Sequence, residues 1–150
     1  EGVEGKFYVW TPEQVHDALG EADAALLLDW YDIRPGGNFE GAPLLLLHTI
    51  GAKSGEERVN PMMYQDLGGP IAVFASMAGA PNNPAWFHNL VANPDVSAEI
   101  GTEELAFRAR VAEPAEREPI WERQKRDYPG FADYESKTTR VIPVVILDPA

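Results

Sequence analysis

A chain of 150 residues, 45% apolar, is long enough for one domain with a real core and too short for two ordinary ones. A net charge of −12 without any basic stripe repels nucleic acid and anionic lipid, and the absence of cysteine excludes disulfides and thiolate metal sites. No apolar run approaches the roughly 18 residues of a membrane-spanning helix, and no signal peptide is visible, so a soluble cytoplasmic protein is expected.

Thr11-Pro12-Glu13-Gln14 reads as a helix start, with a hydroxyl at the cap, proline at the first helical position and Gln at the capping-box position. Val15, Ala18, Leu19 and Ala22, then Ala25, Leu26 and Trp30, continue it at helical spacing, with a break expected at Gly20. Residues 34–43 are rich in glycine and proline and form a loop. From there the texture changes. Residues 44–50 read as a buried strand, and 57–65 as a second in which Pro61 must sit at a bulge or an edge. Asp66-Leu67-Gly68-Gly69 is a hairpin turn, with Ile71 to Ser76 as the returning strand. Ala85 to Ala92 is a short helix. Val96 to Ile100 and Glu104 to Val111 make a hairpin through Gly101-Thr102. A helix over Pro114 to Tyr128 and a strand over Val141 to Leu147 close the chain. Short strands joined by hairpins, with helices between, predict an α+β fold built on an antiparallel barrel.

Gly51-Ala52-Lys53-Ser54-Gly55, directly after the first strand, is the stretch richest in chemistry. Its glycines let the backbone turn sharply, its lysine carries charge, its serine is a donor, and Arg58 is close behind. The glycine spacing is not that of a Walker loop, and no helix pattern follows. The loop therefore reads either as a phosphate- or carboxylate-holding loop or as an ordinary hairpin turn with a solvated lysine. A second stretch runs from Ala75-Ser76 to His88-Asn89. Small residues at a strand end leave room for a flat ligand, and Trp86 is either its wall or part of the core. His88 is read as structural, because no serine or cysteine nucleophile motif accompanies it. His16, His48 and His88 have no metal-ligand spacing. Tyr128, Phe131 and Tyr134 form either core or an aromatic lid, and Arg140 either a surface charge or an ion pair.

Residues 42 to 149 resemble the deazaflavin-dependent nitroreductases, also called coenzyme F-420-dependent quinone reductases. The matching pieces are the leucine run with Gly51-Ala52-Lys53-Ser54-Gly55, Arg58 with Pro61-Met62, Ala75-Ser76, and Gly79-Ala80-Pro81. They continue with Pro84-Ala85-Trp86-Phe87-His88-Asn89-Leu90, Asn93-Pro94, Tyr128-Pro129-Gly130, Tyr134, and Thr138 with Arg140 and Ile142-Pro143-Val144. The resemblance implies a split β-barrel with peripheral helices that binds coenzyme F-420 (8-hydroxy-5-deazaflavin) and passes hydride to a quinone, nitroaromatic or activated alkene. It implies that the anionic tail lies on Lys53, Ser54, Gly55 and Arg58, with Pro61 and Met62 nearby. The ring would lie by Ala75, Ser76, Met77, Ala78 and Gly79, with Trp86 and Asn89 completing the cofactor site. Ser76 and Tyr134 are the expected catalytic hydroxyls. Phe131 stands where the family usually has Tyr, and Ala78-Gly79 where it often has a glycine pair; both departures are expected on the substrate side. Peripheral contact with membrane quinones at the inner face of the membrane is compatible with such an acceptor. The alternatives are a non-catalytic deazaflavin- or lipid-binding barrel and an FMN-dependent oxidoreductase.

Residues 1–41 instead resemble a fragment of the thioredoxin-domain proteins related to spermatogenesis-associated protein 20, through Glu4 to Glu13 and Gly37-Asn38-Phe39-Glu40-Gly41. The expected organisation is an N-terminal helical segment over 1–41 and a split-barrel domain over 42–150.

Overall fold

The computed structural model describes residues 42–150; the helix expected from Thr11 onward and the 1–41 segment lie outside them. Six strands close into one barrel: β1 (Leu44–Ile50), β2 (Glu57–Asp66), β3 (Ile71–Phe74), β4 (Asp95–Ile100), β5 (Glu103–Val111) and β6 (Val144–Pro149). Around the barrel they run β1-β2-β3-β6-β5-β4, with β4 returning to β1, and every pairing is antiparallel. Helices α1 (Ala85–Ala92), α2 (Pro114–Asp127) and α3 (Gly130–Ser136) connect them. The expected antiparallel barrel of α+β type is therefore what forms. Closure leaves little sheet edge exposed, the half of β2 before Tyr64 being paired on one side only.

The strand alternation sets two cores. Leu45, Leu47, Val96, Ala98, Phe107 and Ala109 point into the barrel. On β3 and β6 both faces are buried. Ile71, Val73, Val145 and Leu147 face the barrel interior, while Ala72, Phe74, Val144 and Ile146 face a second cluster with Trp121 and Phe131. That explains why Ile71–Phe74 and Val144–Leu147 read as unbroken apolar runs. Helix α2 starts with Pro114 at its first turn and buries Ile120, Trp121 and Gln124 against this outer face.

Several boundaries differ from the sequence reading. β3 stops at Phe74, because the Ala75 N–H bonds the Pro143 carbonyl (3.0 Å) and Ser76 enters a turn. β6 begins at Val144 rather than Val141. Val141 is exposed, and the Ile142 carbonyl accepts from Arg117 Nε at 2.9 Å instead of from a strand. Helix α3 was not expected, because Pro129-Gly130 reads as a break. Pro61 behaves as expected of an edge residue. It lies where β2 pairs with β1 alone, since β3 reaches only Tyr64–Asp66. Among the described residues no helix is long and apolar enough to cross a membrane.

His48 ties three strands together. On β1, its Nδ1 meets Glu57 Oε1 of β2 at 3.0 Å, and its Nε2 meets Glu99 Oε1 of β4 at 2.7 Å. Burial alone would lower its pKa, but hydrogen bonds to the two carboxylates outweigh burial and raise it above 6.5. The folded chain thus holds this proton more tightly than the unfolded one. The resulting stability is fully present below the unfolded value of 6.5 and is lost as pH rises through the raised folded value. The melting temperature should fall across that window. In His48→Gln this part of the pH dependence should flatten; an unchanged profile would remove His48 from the barrel's pH response.

Candidate functional site

The β1–β2 connection is a closed loop. Gly51 N–H donates to Glu56 O at 2.8 Å and Gly55 N–H to Gly51 O at 2.8 Å, while Ser54 Oγ accepts from Glu56 N–H at 3.2 Å. A Cβ at position 51 would collide with Ser54 Oγ and lie 3.3 Å from Glu56 O, so a side chain there would force the Ser54 hydroxyl to turn away. Helix α1 fixes the loop from outside. Asn89 Oδ1 accepts from Ala52 N–H (3.0 Å), its Nδ2 donates to Thr49 Oγ1 (3.3 Å), and Asn93 Nδ2 donates to Ile50 O (3.2 Å). Asn89, expected to touch a cofactor, thus acts first as the anchor that orients the loop.

Loop, β2 and α1 border an open cleft of about 800 Å³. Gly51, Ala52, Lys53 and Ser54 form one side, Arg58, Val59 and Asn60 a second, and Ala85, Trp86, His88 and Asn89 a third. Lys53 makes no ion pair with any described residue. Arg58 is held by Glu56, Nη2 to Oε2 at 2.9 Å, but both side chains are more than half exposed, and such a pair is worth at most about 1 kcal/mol. An incoming anion can therefore displace Glu56. Two cations and a hydroxyl beside an aromatic wall suit an elongated ligand with an anionic end and a flat apolar part.

The second stretch folds as a separate turn. Ser76 is right-handed (φ −73°), and Met77 (φ 45°), Ala78 (φ 52°) and Gly79 (φ 82°) follow in left-handed conformation. Successive N–H groups after a right-to-left switch converge into a donor concavity. The turn is closed by Gly79 N–H to Ser76 O and Ala80 N–H to Met77 O, each 3.0 Å. A Cβ at Gly79 would meet Tyr134 O at 2.6 Å and Lys137 Cβ at 2.8 Å, so α3 backs the turn directly. Arg140 closes the other side. Its guanidinium donates to Ala75 O (3.1 Å), Ser76 O (2.8 Å), Ala80 O (2.8 Å) and Asn83 Oδ1 (2.7 Å). Burial pushes its pKa below the ordinary value.

The cavity thus brings together Lys53, Ser54, Arg58, Trp86 and Asn89 of the expected site. Gly55, Pro61, Met62, Ala75, Ser76, Met77, Ala78, Gly79 and Tyr134 do not line it. Ala75 is fully buried, with its N–H on Pro143 and its carbonyl on Arg140. Phe131 is a core residue, packed edge-on against Phe74, Trp121 and Tyr134 at centroid distances of 5.5, 5.9 and 5.3 Å. Phe131 is therefore core rather than lid. Sequence reasoning passed over Val59 and Asn60, which carry no motif, gave Ala85 no role although it lies in a matching piece, and reads His88 as structural although it is exposed on the cavity wall. It also misjudged Arg140, which is neither a surface charge nor, among the described residues, an ion-pair partner.

Comparison with known proteins places these features in one group. The family model described as F420H(2)-dependent quinone reductase matches residues 30–149. An F420H(2)-dependent quinone reductase of Mycobacterium tuberculosis is 36% identical over 118 residues, covering 76% of this chain and 79% of the relative. A solved F420-H2 dependent reductase is 42% identical, with a TM-score of 0.65, covering 71% of this chain and 94% of that one. A further solved chain, described as a domain-swapped dimer, is also 42% identical with a TM-score of 0.65, covering 71% and 80%.

Proposed function

The chain belongs to the F420H(2)-dependent quinone reductase family, and from that premise we propose that the cavity between the β1–β2 loop, β2 and α1 receives the anionic tail of coenzyme F-420, with the Ser76 turn on the substrate side. As a family member the chain is an F-420-dependent oxidoreductase with a quinone as its acceptor class. The observation that carries the site assignment is Lys53, free of any ion pair among the described residues, on a glycine-tight loop beside Trp86.

The residues present fit the coenzyme. Lys53 and Arg58 supply the charge for a phosphate and carboxylate tail, and Ser54 can donate to it while its oxygen accepts from Glu56 N–H. Asn89 keeps the loop at a fixed distance from α1. Trp86, half-buried, offers an apolar wall that excludes water. The bound coenzyme supplies the hydride equivalent; the chain supplies binding, orientation and electrostatics. As a quinone is reduced, negative charge grows on its oxygen, and a hydroxyl aimed at that oxygen stabilises the transition state more than the ground state. Ser76, half-buried where β3 ends, is assigned this role, with Tyr134 of α3 second. Nitroaromatics and activated alkenes are acceptors of the same electronic kind.

Absorption titrations with F-420 and with FMN, followed by menadione turnover, test this reading. Binding of F-420 with turnover supports it; binding without turnover makes the chain a deazaflavin-binding barrel; binding of FMN alone makes it an FMN protein. Ser76→Ala should lower kcat/KM for menadione about tenfold, roughly 1.4 kcal/mol, and leave F-420 affinity within a few-fold. Tyr134→Phe should cause a smaller loss. Parent rates in both variants would leave neither hydroxyl catalytic.

A further inference from the structure

We infer that Arg140 is a positioning residue for the reduction, a fork that holds the Ser76–Ala80 turn in the conformation the substrate side requires. The inference rests on the reading of that turn as the substrate side. Arginine ordinarily meets a carboxylate when it leaves water. Here it meets none among the described residues. All four of its acceptors are neutral, and they span Ala75 to Asn83, the connection that leads from β3 into α1 and the cavity wall. A half-buried cation without a counter-ion is a poor device for stability alone.

The turn it holds is one that would not keep its shape unaided. Met77 and Ala78 both have positive φ, which residues with a Cβ adopt only where the surroundings over-determine them. Two constraints do so. The α3 backbone at Tyr134 presses against Gly79 from one side, and the Arg140 fork draws the Ala75, Ser76 and Ala80 carbonyls together from the other. The Ala75 and Ser76 carbonyls drawn toward Arg140 leave the Ser76 and Met77 N–H groups of the same peptides turned the opposite way, because the two lie on opposite sides of a trans peptide. The fork therefore sets the direction of the donor concavity and of the Ser76 hydroxyl together. A lysine keeps the charge but offers a single point donor, so it cannot bind acceptors this far apart.

Arg140→Lys, Arg140→Met and Asn83→Ala test the inference against the parent. The readouts are melting temperature, F-420 affinity by absorption titration, kcat and KM for menadione, and amide hydrogen exchange. Both Arg140 variants should lose at least tenfold in kcat, Lys failing to rescue. F-420 affinity should fall by less than kcat, since the tail sits on the Lys53 loop and only the ring lies by the turn. Amide exchange should speed up at residues 76–80 and stay at parent rates in β1 and β6. Asn83→Ala removes one acceptor (2.7 Å) and leaves the fork, so it should lose several-fold in kcat with the same local pattern; it carries the test if the Arg140 variants do not fold. Unchanged kcat, or a loss of kcat with faster exchange throughout the barrel, overturns the positioning role. A parent that neither binds F-420 nor reduces menadione overturns the functional reading itself, and this inference with it; an active parent with unaffected variants overturns this inference alone.

Discussion

Trp121→Ala should lower the unfolding free energy by about 3–5 kcal/mol, the largest single effect expected in the described residues. Trp121 is fully buried on α2, where it joins the helix to the outer faces of β3 and β6. Its ring lies 6.0 Å from Phe74 and 5.9 Å edge-on from Phe131, centroid to centroid, and the Arg117 guanidinium stands 5.0 Å over it. Its Nε1 donates to Glu135 Oε1 at 2.7 Å, which ties α2 to α3. Truncation loses the ring's transfer free energy and leaves a cavity that six paired strands cannot collapse around. It also removes one donor from Glu135, although Lys125 Nζ remains at 2.9 Å. Domains of this size have about 5–15 kcal/mol in total, so the variant should unfold at much lower denaturant. Val141→Ala, at a side chain 73% exposed, should stay within about 0.5 kcal/mol of the parent. Urea titration measures both, and a Trp121→Ala loss below about 1 kcal/mol would show that α2 is not part of the barrel's outer core.

Lys53→Ala should weaken F-420 binding by ten- to a hundredfold, as expected for loss of a charge-assisted contact of about 1.5–3 kcal/mol. Lys53 is exposed, so its removal disturbs no core, and the melting temperature should hold. The loss should shrink as salt is added, because the contact is screened. Glu56→Gln makes the opposite case. Glu56 Oε2 occupies Arg58 Nη2 at 2.9 Å, and neutralising it frees a second cation at the cavity. Affinity should then rise, by less than Lys53→Ala lowers it, since the pair broken is an exposed one. Calorimetric titration of the three proteins at two salt concentrations decides the matter. Equal affinities would take the loop out of the cofactor site.

Local order was legible in the chain because its causes are local. The leucine run over 44–50 and the small-to-aromatic run over 85–92 form the strand and helix expected, to the residue. The hairpin turns at Asp66–Gly69 and Gly101-Thr102 follow from their glycines, and Gly51 to Gly55 form the tight loop their composition announces. Each signal depends on neighbours a few positions away, such as strand alternation, a helix cap, or a glycine free to turn. The family resemblance added what those signals lack, a cofactor class to fit the loop.

The tertiary structure decided the rest. Whether β6 begins at Val141 or Val144 depends on Arg117 taking the Ile142 carbonyl, 25 residues away. Whether Phe131 is lid or core depends on Phe74 and Trp121, brought to it by α2 and β3. Arg140 matches the family, but nothing near it in sequence announces its role, because the groups it binds are backbone carbonyls and an amide 57 to 65 positions back in the chain. Every residue carries a carbonyl, so nothing in the residue types marks which ones a folded chain will gather around one cation. That is settled only when closing the barrel brings the end of β3 and the approach to β6 together.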